Sequence, residues 1–169
     1  MAKIPVMNII YDSIVDGEGL RTVLFVAGCP HHCKGCHNPQ SWNNKNGKMV
    51  SIEDLFKMLI KNPINDITFS GGEPFLYAEE LTELAKLLKA EGKNIWAWSG
   101  FTYEQLTNDK AKRKLLEKID VLIDGRFILE QRDLSLYWKG SKNQRVLKLV
   151  NGEPIEMFND QTEEWEEIK

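Results

Sequence analysis

All the cysteines and histidines of this 169-residue chain, three of each, lie between residues 29 and 37. The stretch reads Gly28-Cys29-Pro30-His31-His32-Cys33-Lys34-Gly35-Cys36-His37-Asn38. Cysteines used as small core hydrophobes would scatter along the chain, so packing explains this gathering poorly. The spacing Cys-x3-Cys-x2-Cys lets three thiolates converge on one soft centre. Gly28, Pro30 and Gly35 favour a tight loop around that centre over a regular helix. Three chemistries remain open from the loop alone. One is a structural zinc site with His31, His32 or His37 as fourth ligand. Another is a redox disulfide between two of the cysteines. The last is a four-iron cluster held by three thiolates, with one iron left without a protein ligand because no fourth cysteine exists.

The flanking segments set the loop in a repeating frame. Thr22–Ala27 is short, apolar and rich in β-formers, and reads as a buried strand that delivers the chain into Cys29. Strands are expected again at 66–69, 94–98, 120–123 and 145–149. Between them the pattern turns helical. Ser51 with Asp54 reads as an N-cap, and Leu55, Met58 and Leu59 form an apolar stripe. Leu81, Leu84, Leu87 and Leu88 mark a longer helix that stops at Gly92. Thr102 and Gln105 form a capping box for a helix running or restarting towards Glu117. Strand, loop and helix in alternation predict an α/β fold with a mainly parallel sheet. About five strands are too few to close an eight-stranded barrel, which leaves an open partial barrel or a doubly wound sheet. No internal repeat or boundary divides the chain, so residues 1–169 read as one domain with an acidic segment at 151–169.

Four expected strand ends carry cysteine or glycine: Cys29, Gly71, Gly100 and Gly125. Glycine there lets backbone N–H and C=O groups come close to a ligand, and four on one rim point to a shared pocket.

These pieces resemble the radical S-adenosylmethionine activating enzymes, and within them the activases of anaerobic ribonucleoside-triphosphate reductase. The resemblance runs from Tyr11 to Leu149. It rests on the three-cysteine motif, Ser70-Gly71-Gly72-Glu73-Pro74, Trp96-Ala97-Trp98-Ser99-Gly100, Val121-Leu122-Ile123-Asp124-Gly125 and Gly140-Ser141-Lys142-Asn143-Gln144-Arg145. It implies a partial, open β/α barrel of the radical S-adenosylmethionine type. It further implies that Cys29, Cys33 and Cys36 hold a [4Fe–4S] cluster whose fourth iron is chelated by S-adenosylmethionine. Gly71, Gly72 and Glu73 would receive the methionine amino group, Gly35, Cys36 and His37 would line the adenine side, and Ser99 would meet the ribose or methionine portion. His37 stands where many relatives carry an aromatic residue, and Glu18 where they often carry proline. The implied product is a glycyl radical on the reductase catalytic subunit, made with one electron from a donor such as a flavodoxin. A formate-lyase type partner is the neighbouring alternative, and a zinc-stabilised Cys/His module the distant one. No side chain is expected to act as an acid or base.

The remaining expectations are plainer. A net charge of −3 offers no basic field for nucleic acid, and no apolar run reaches the roughly 18 residues of a membrane span. Clustered thiols without a secretion signal fit a reducing cytoplasm. His31 and His32 are expected to be exposed loop residues, and at least one of Trp96 and Trp98 to be core. Asp16 and Arg21 are candidate contacts for the partner's glycine loop. The acidic C-terminal segment is expected to be solvated, with Trp165 pinned to the body.

Overall fold

The computed structural model describes residues 2–168. In chain order the elements are β1 (Lys3–Ser13), β2 (Arg21–Val26), β3 (Lys48–Ser51), α1 (Ile52–Leu59), β4 (Asp66–Gly71), α2 (Ala78–Ala90), β5 (Ile95–Trp98), α3 (Tyr103–Thr107), α4 (Lys110–Leu116), β6 (Val121–Asp124), β7 (Arg145–Val150), β8 (Glu153–Asn159) and β9 (Glu164–Glu167). The strands form one open sheet in the order β3-β1-β2-β4-β5-β6-β7-β8-β9.

The expectation of a mainly parallel sheet is corrected. Only β2, β4, β5 and β6 run parallel, and every other pairing is antiparallel. The physical reason is the connections. A parallel neighbour needs a crossover of a dozen or more residues, supplied here by α1, α2 and the α3–α4 pair. The turns joining β7 to β8 and β8 to β9 are too short for that, so those strands fold back on their neighbours. The acidic segment expected as a solvated tail is this β8–β9 extension. Its alternating exposure from Glu153 to Asn159 is that of a strand with one face covered, and Trp165 packs edge-on against Phe158 with ring centroids 5.4 Å apart.

The helices start where the sequence signals them. Ser51 Oγ accepts the Asp54 N–H at 3.2 Å, and Thr102 and Gln105 bond reciprocally at the start of α3. All four helices cover one face of the sheet. Ile67 and Phe69 of β4, Ile95 and Ala97 of β5, and Leu122 of β6 meet Leu55, Leu84, Leu106 and Leu115 in one buried cluster. The alternate residues Trp96, Val121, Ile123 and Val146 face the other way, into an aromatic group with Trp98, Trp138, Phe158 and Trp165. Helices on a single face, with parallel strands added in one direction, are not the layering of a doubly wound sheet.

The stripe on α2 is narrower than its leucines suggest. Leu81, Leu84 and Leu88 are fully buried, whereas Leu87 is 41% exposed. Leu84→Ala should lower stability by about 3 kcal/mol, because the sheet beneath cannot collapse into the gap. Leu87→Ala should change it by less than about 0.5 kcal/mol. Urea unfolding of both variants checks the pair.

Candidate functional site

The C-terminal ends of the four parallel strands open into one cavity of about 430 Å³. Cys29 after β2, Gly71 at the end of β4 and Gly72 after it, Ser99 and Gly100 after β5, and Gly125 after β6 all line it. Cys33, Cys36 and His37 face the same space. The shared rim expected from four strand ends is therefore present.

The cysteine loop is fastened at its base. Gly28 N–H donates to Ser41 O at 2.6 Å, and Tyr77 Oη donates to Ala27 O at 2.6 Å. Within the loop the Cys36 N–H donates to Cys33 O at 3.1 Å, and the Asn38 N–H donates to Cys36 Sγ at 3.4 Å. All three thiols are free and partly exposed. Burial pushes the Cys29 thiol up, opposed by the His31 N–H and reinforced by the charge on Glu73. A metal that binds this sulfur must displace its proton.

The turn after β4 needs its glycines because it presses on the end of β2. A methyl on Gly72 would lie 2.5 Å from Gly28 O and 2.9 Å from Val26 O, and Gly71 has φ +125°. Gly72 N–H and Glu73 N–H donate to Val26 O and Gly28 O, at 3.1 and 2.8 Å. The glutamate side chain takes a different place from the one expected. Glu73 is fully buried beneath the cavity. Its carboxylate accepts from Gly100 N–H at 2.7 Å, Phe75 N–H at 3.1 Å and Ser99 Oγ at 2.9 Å, and is joined to His31 Nε2 at 2.6 Å. It is not among the residues that line the cavity.

The histidines also divide. His31 is buried rather than exposed, which corrects the expectation; His32 is exposed as expected and stacks on Trp42 at 4.5 Å. His37 lines the cavity and tilts against Phe127 at 5.6 Å. Gly35 is not part of the lining; its φ of +78° favours glycine, and a methyl there would press on the end of the Leu129 side chain. Asp16 lines the cavity. Arg21 does not: it is buried on the sheet face opposite the helices, donating to Thr68 Oγ1 at 2.8 Å and Ile67 O at 2.6 Å. Desolvation brings its guanidinium down to about 10, and it is no contact for a partner at the mouth.

The far wall escaped residue-level reading. Phe127, Leu134, Trp138 and Gln144 line it on the 126–144 connection. Gln144 Oε1 accepts the Gly140 and Ser141 N–H groups, at 2.9 and 3.2 Å, and its Nε2 donates to Gly125 O at 2.8 Å. Asn143 Nδ2 donates to Arg126 O at 2.8 Å. Arg145 bonds the buried Asp124 through Nε and a terminal nitrogen. The density of amides and hydroxyls in residues 141–144 was the available signal for a loop held by its own side chains.

These donors suit an iron–sulfur group better than a lone ion. Among the described residues no three His, Cys, Asp or Glu side chains gather tightly enough for a single ion; the three sulfurs instead stand around one void. A group in which each metal takes one thiolate asks for three cysteines on one shared space, with room at a remaining metal, and Cys29, Cys33 and Cys36 line one void.

Residues 15–147 match the family model described as a 4Fe-4S single cluster domain. The anaerobic ribonucleoside-triphosphate reductase-activating protein of Haemophilus influenzae is 44% identical over 144 residues, which cover 79% of this chain and 90% of that protein. Proteins of the same name are 38% identical in Escherichia coli K12 (79% of this chain, 91% of theirs) and in Enterobacteria phage T4 (82% and 90%). Likeness of this degree along most of both chains is shared descent, and the chain belongs to the anaerobic ribonucleoside-triphosphate reductase-activating protein family.

Proposed function

We propose that this chain is a glycyl-radical activating enzyme that works with a [4Fe–4S] cluster and S-adenosylmethionine on anaerobic ribonucleoside-triphosphate reductase. The observation that carries this reading is the convergence of Cys29, Cys33 and Cys36 on the cavity walled by the ends of β4, β5 and β6. Cys29, Cys33 and Cys36 would hold the cluster, which would supply the one electron needed to cleave S-adenosylmethionine reductively and so the hydrogen-atom abstraction that makes a glycyl radical on the reductase. The protein's part is holding, orienting and excluding water.

Cys29, Cys33 and Cys36 each give a thiolate. Gly71 and Gly72 bring bare backbone to the rim, where carbonyls accept from an ammonium. Ser99 lines the ribose and methionine side, and Gly35, Cys36 and His37 form the adenine side, His37 by its ring and Gly35 by letting the loop close. Phe127 and Trp138 shield the space from water. Val15 and Leu134 stand at its mouth, 74% and 86% exposed, as apolar lips for an entering glycine loop. The four parallel strands with helices on one face suit an open, partial β/α barrel of the radical S-adenosylmethionine type, with antiparallel strands on both flanks. The electron comes from a one-electron donor such as a flavodoxin, and a reducing cytoplasm suits the free thiols. No helix among the described residues is long and apolar enough to cross a membrane.

Cys33→Ala should lose cluster iron and sulfide together with 5′-deoxyadenosine formation, whereas His32→Ala should keep both. Metal and sulfide analysis without oxygen, followed by reduction with S-adenosylmethionine, checks this. Stoichiometric zinc with no nucleoside product would sink the reading. Gly72→Ala should destabilise the chain by about 2 kcal/mol or more, since backbone oxygens on two sides must move. Its S-adenosylmethionine binding should fall further than its cluster content, as equilibrium dialysis of the loaded protein will measure.

A further inference from the structure

Cys29 lines two spaces at once. One is the cavity of the functional site; the other is a groove of about 480 Å³, and Cys29 is the one lining residue the two share. His32, Trp42, Leu76 and Tyr77 wall the groove. Leu76 is 43% exposed, and the His32 and Trp42 rings stack 4.5 Å apart and 9° from parallel. These walls are fixed to the chain around Cys29: Cys29 N–H donates to Trp42 O at 3.3 Å, and Tyr77 Oη donates to Ala27 O at 2.6 Å. Exposed apolar and aromatic side chains held in a fixed groove mark a contact surface. Its charge narrows the partner. Residues 19–52, which supply the cysteine loop and the Trp42 wall, contain no Asp or Glu, whereas Lys34, Lys45 and Lys48 are exposed there. Such a basic stretch stands out in a chain of net charge −3. The carboxylates that follow the Leu76–Tyr77 wall, Glu79 and Glu80, lie in the first turn of α2.

We infer that this groove is the docking surface of an acidic one-electron carrier protein, which delivers its electron by way of Cys29. The inference rests on the function proposed above. There S-adenosylmethionine and the glycine loop take the cavity, so the electron must come from another side, and Cys29 is the cysteine with a second opening. One electron leaves the carrier and enters the oxidised cluster; no bond forms or breaks, and no proton has to move. Electron-transfer complexes bury less than about 1,200 Å² and are steered by opposite charge, which suits a small apolar groove with lysines on one side.

Two double variants test this, with a flavodoxin as the probe. The groove pair, Lys45→Glu with Leu76→Asn, changes one exposed residue on each side of the groove. The control pair, Lys110→Glu with Leu87→Asn, makes the same changes on the exposed face of the helices. Oxidised flavodoxin should bind the iron-loaded wild type with a Kd that rises with salt. The groove pair should bind it about tenfold more weakly, and the control pair as the wild type does. Iron, sulfide and the 5′-deoxyadenosine formed with dithionite, a small ion that needs no docking, should match the wild type in both pairs. Formation driven by reduced flavodoxin should fall in the groove pair alone. Bound flavodoxin should also slow hydrogen exchange of the loaded wild type in residues 40–46 and 74–80, and this footprint decides the matter if the groove pair does not fold. Unchanged affinity in the groove pair overturns the inference. So does a footprint confined to the cavity mouth at Val15 and Leu134, or a groove pair that loses affinity for the reductase catalytic subunit and keeps it for flavodoxin. A wild type that takes up no iron and sulfide, or makes no 5′-deoxyadenosine with dithionite, sinks the proposed function itself, whatever its affinity for flavodoxin.

Discussion

The buried Glu73 carboxylate is the interaction on which the rest of the site depends. A carboxylate with no exposure costs several kcal/mol to desolvate. Bonds to a charged acceptor contribute about 1.5–3 kcal/mol each, and four groups meet this one: His31, Phe75, Ser99 and Gly100. They come from the cysteine loop after β2, the turn after β4 and the turn after β5. One anion thus ties three strand ends together, and the rim is shaped before any ligand arrives. Glu73, expected as a ligand contact, is in the folded chain the post to which three strand ends are fastened.

The parallel centre of the fold was legible because its signals are local. Short apolar runs at 66–69, 94–98 and 120–123 are buried on both faces, and Ser51, Thr102 and Gln105 start helices through bonds to their own neighbours. The flanks were not legible for the opposite reason. β1 carries Pro5 and two irregularities in its register with β2, so it shows neither clean alternation nor an apolar run. β3 has four residues and no fully buried side chain. β8 and β9 are rich in glutamate, and their strand character comes from pairing with β7 rather than from propensity.

The site divides along the same line. The three cysteines and the glycine-ended strands are statements about residue type and spacing, which a sequence carries in full. The burial of His31, the inward turn of Glu73 and the retreat of Arg21 to the opposite sheet face depend on what stands next to them in space. Gly100 illustrates the difference. In the sequence it is one more glycine after a strand; in the fold it is the gap that the imidazole of His31 occupies.

An open sheet has two edges, and each is a template on which another chain can grow. Here the first edge is the four-residue β3. At the other, β9 presents Glu164, Glu166 and Glu167 to solvent, so that an incoming strand meets carboxylates before it finds backbone. The glutamates that disguised the C-terminal segment as a loose tail therefore guard the sheet against growing by copies of itself. The sheet can stay open while its edge stays closed to company.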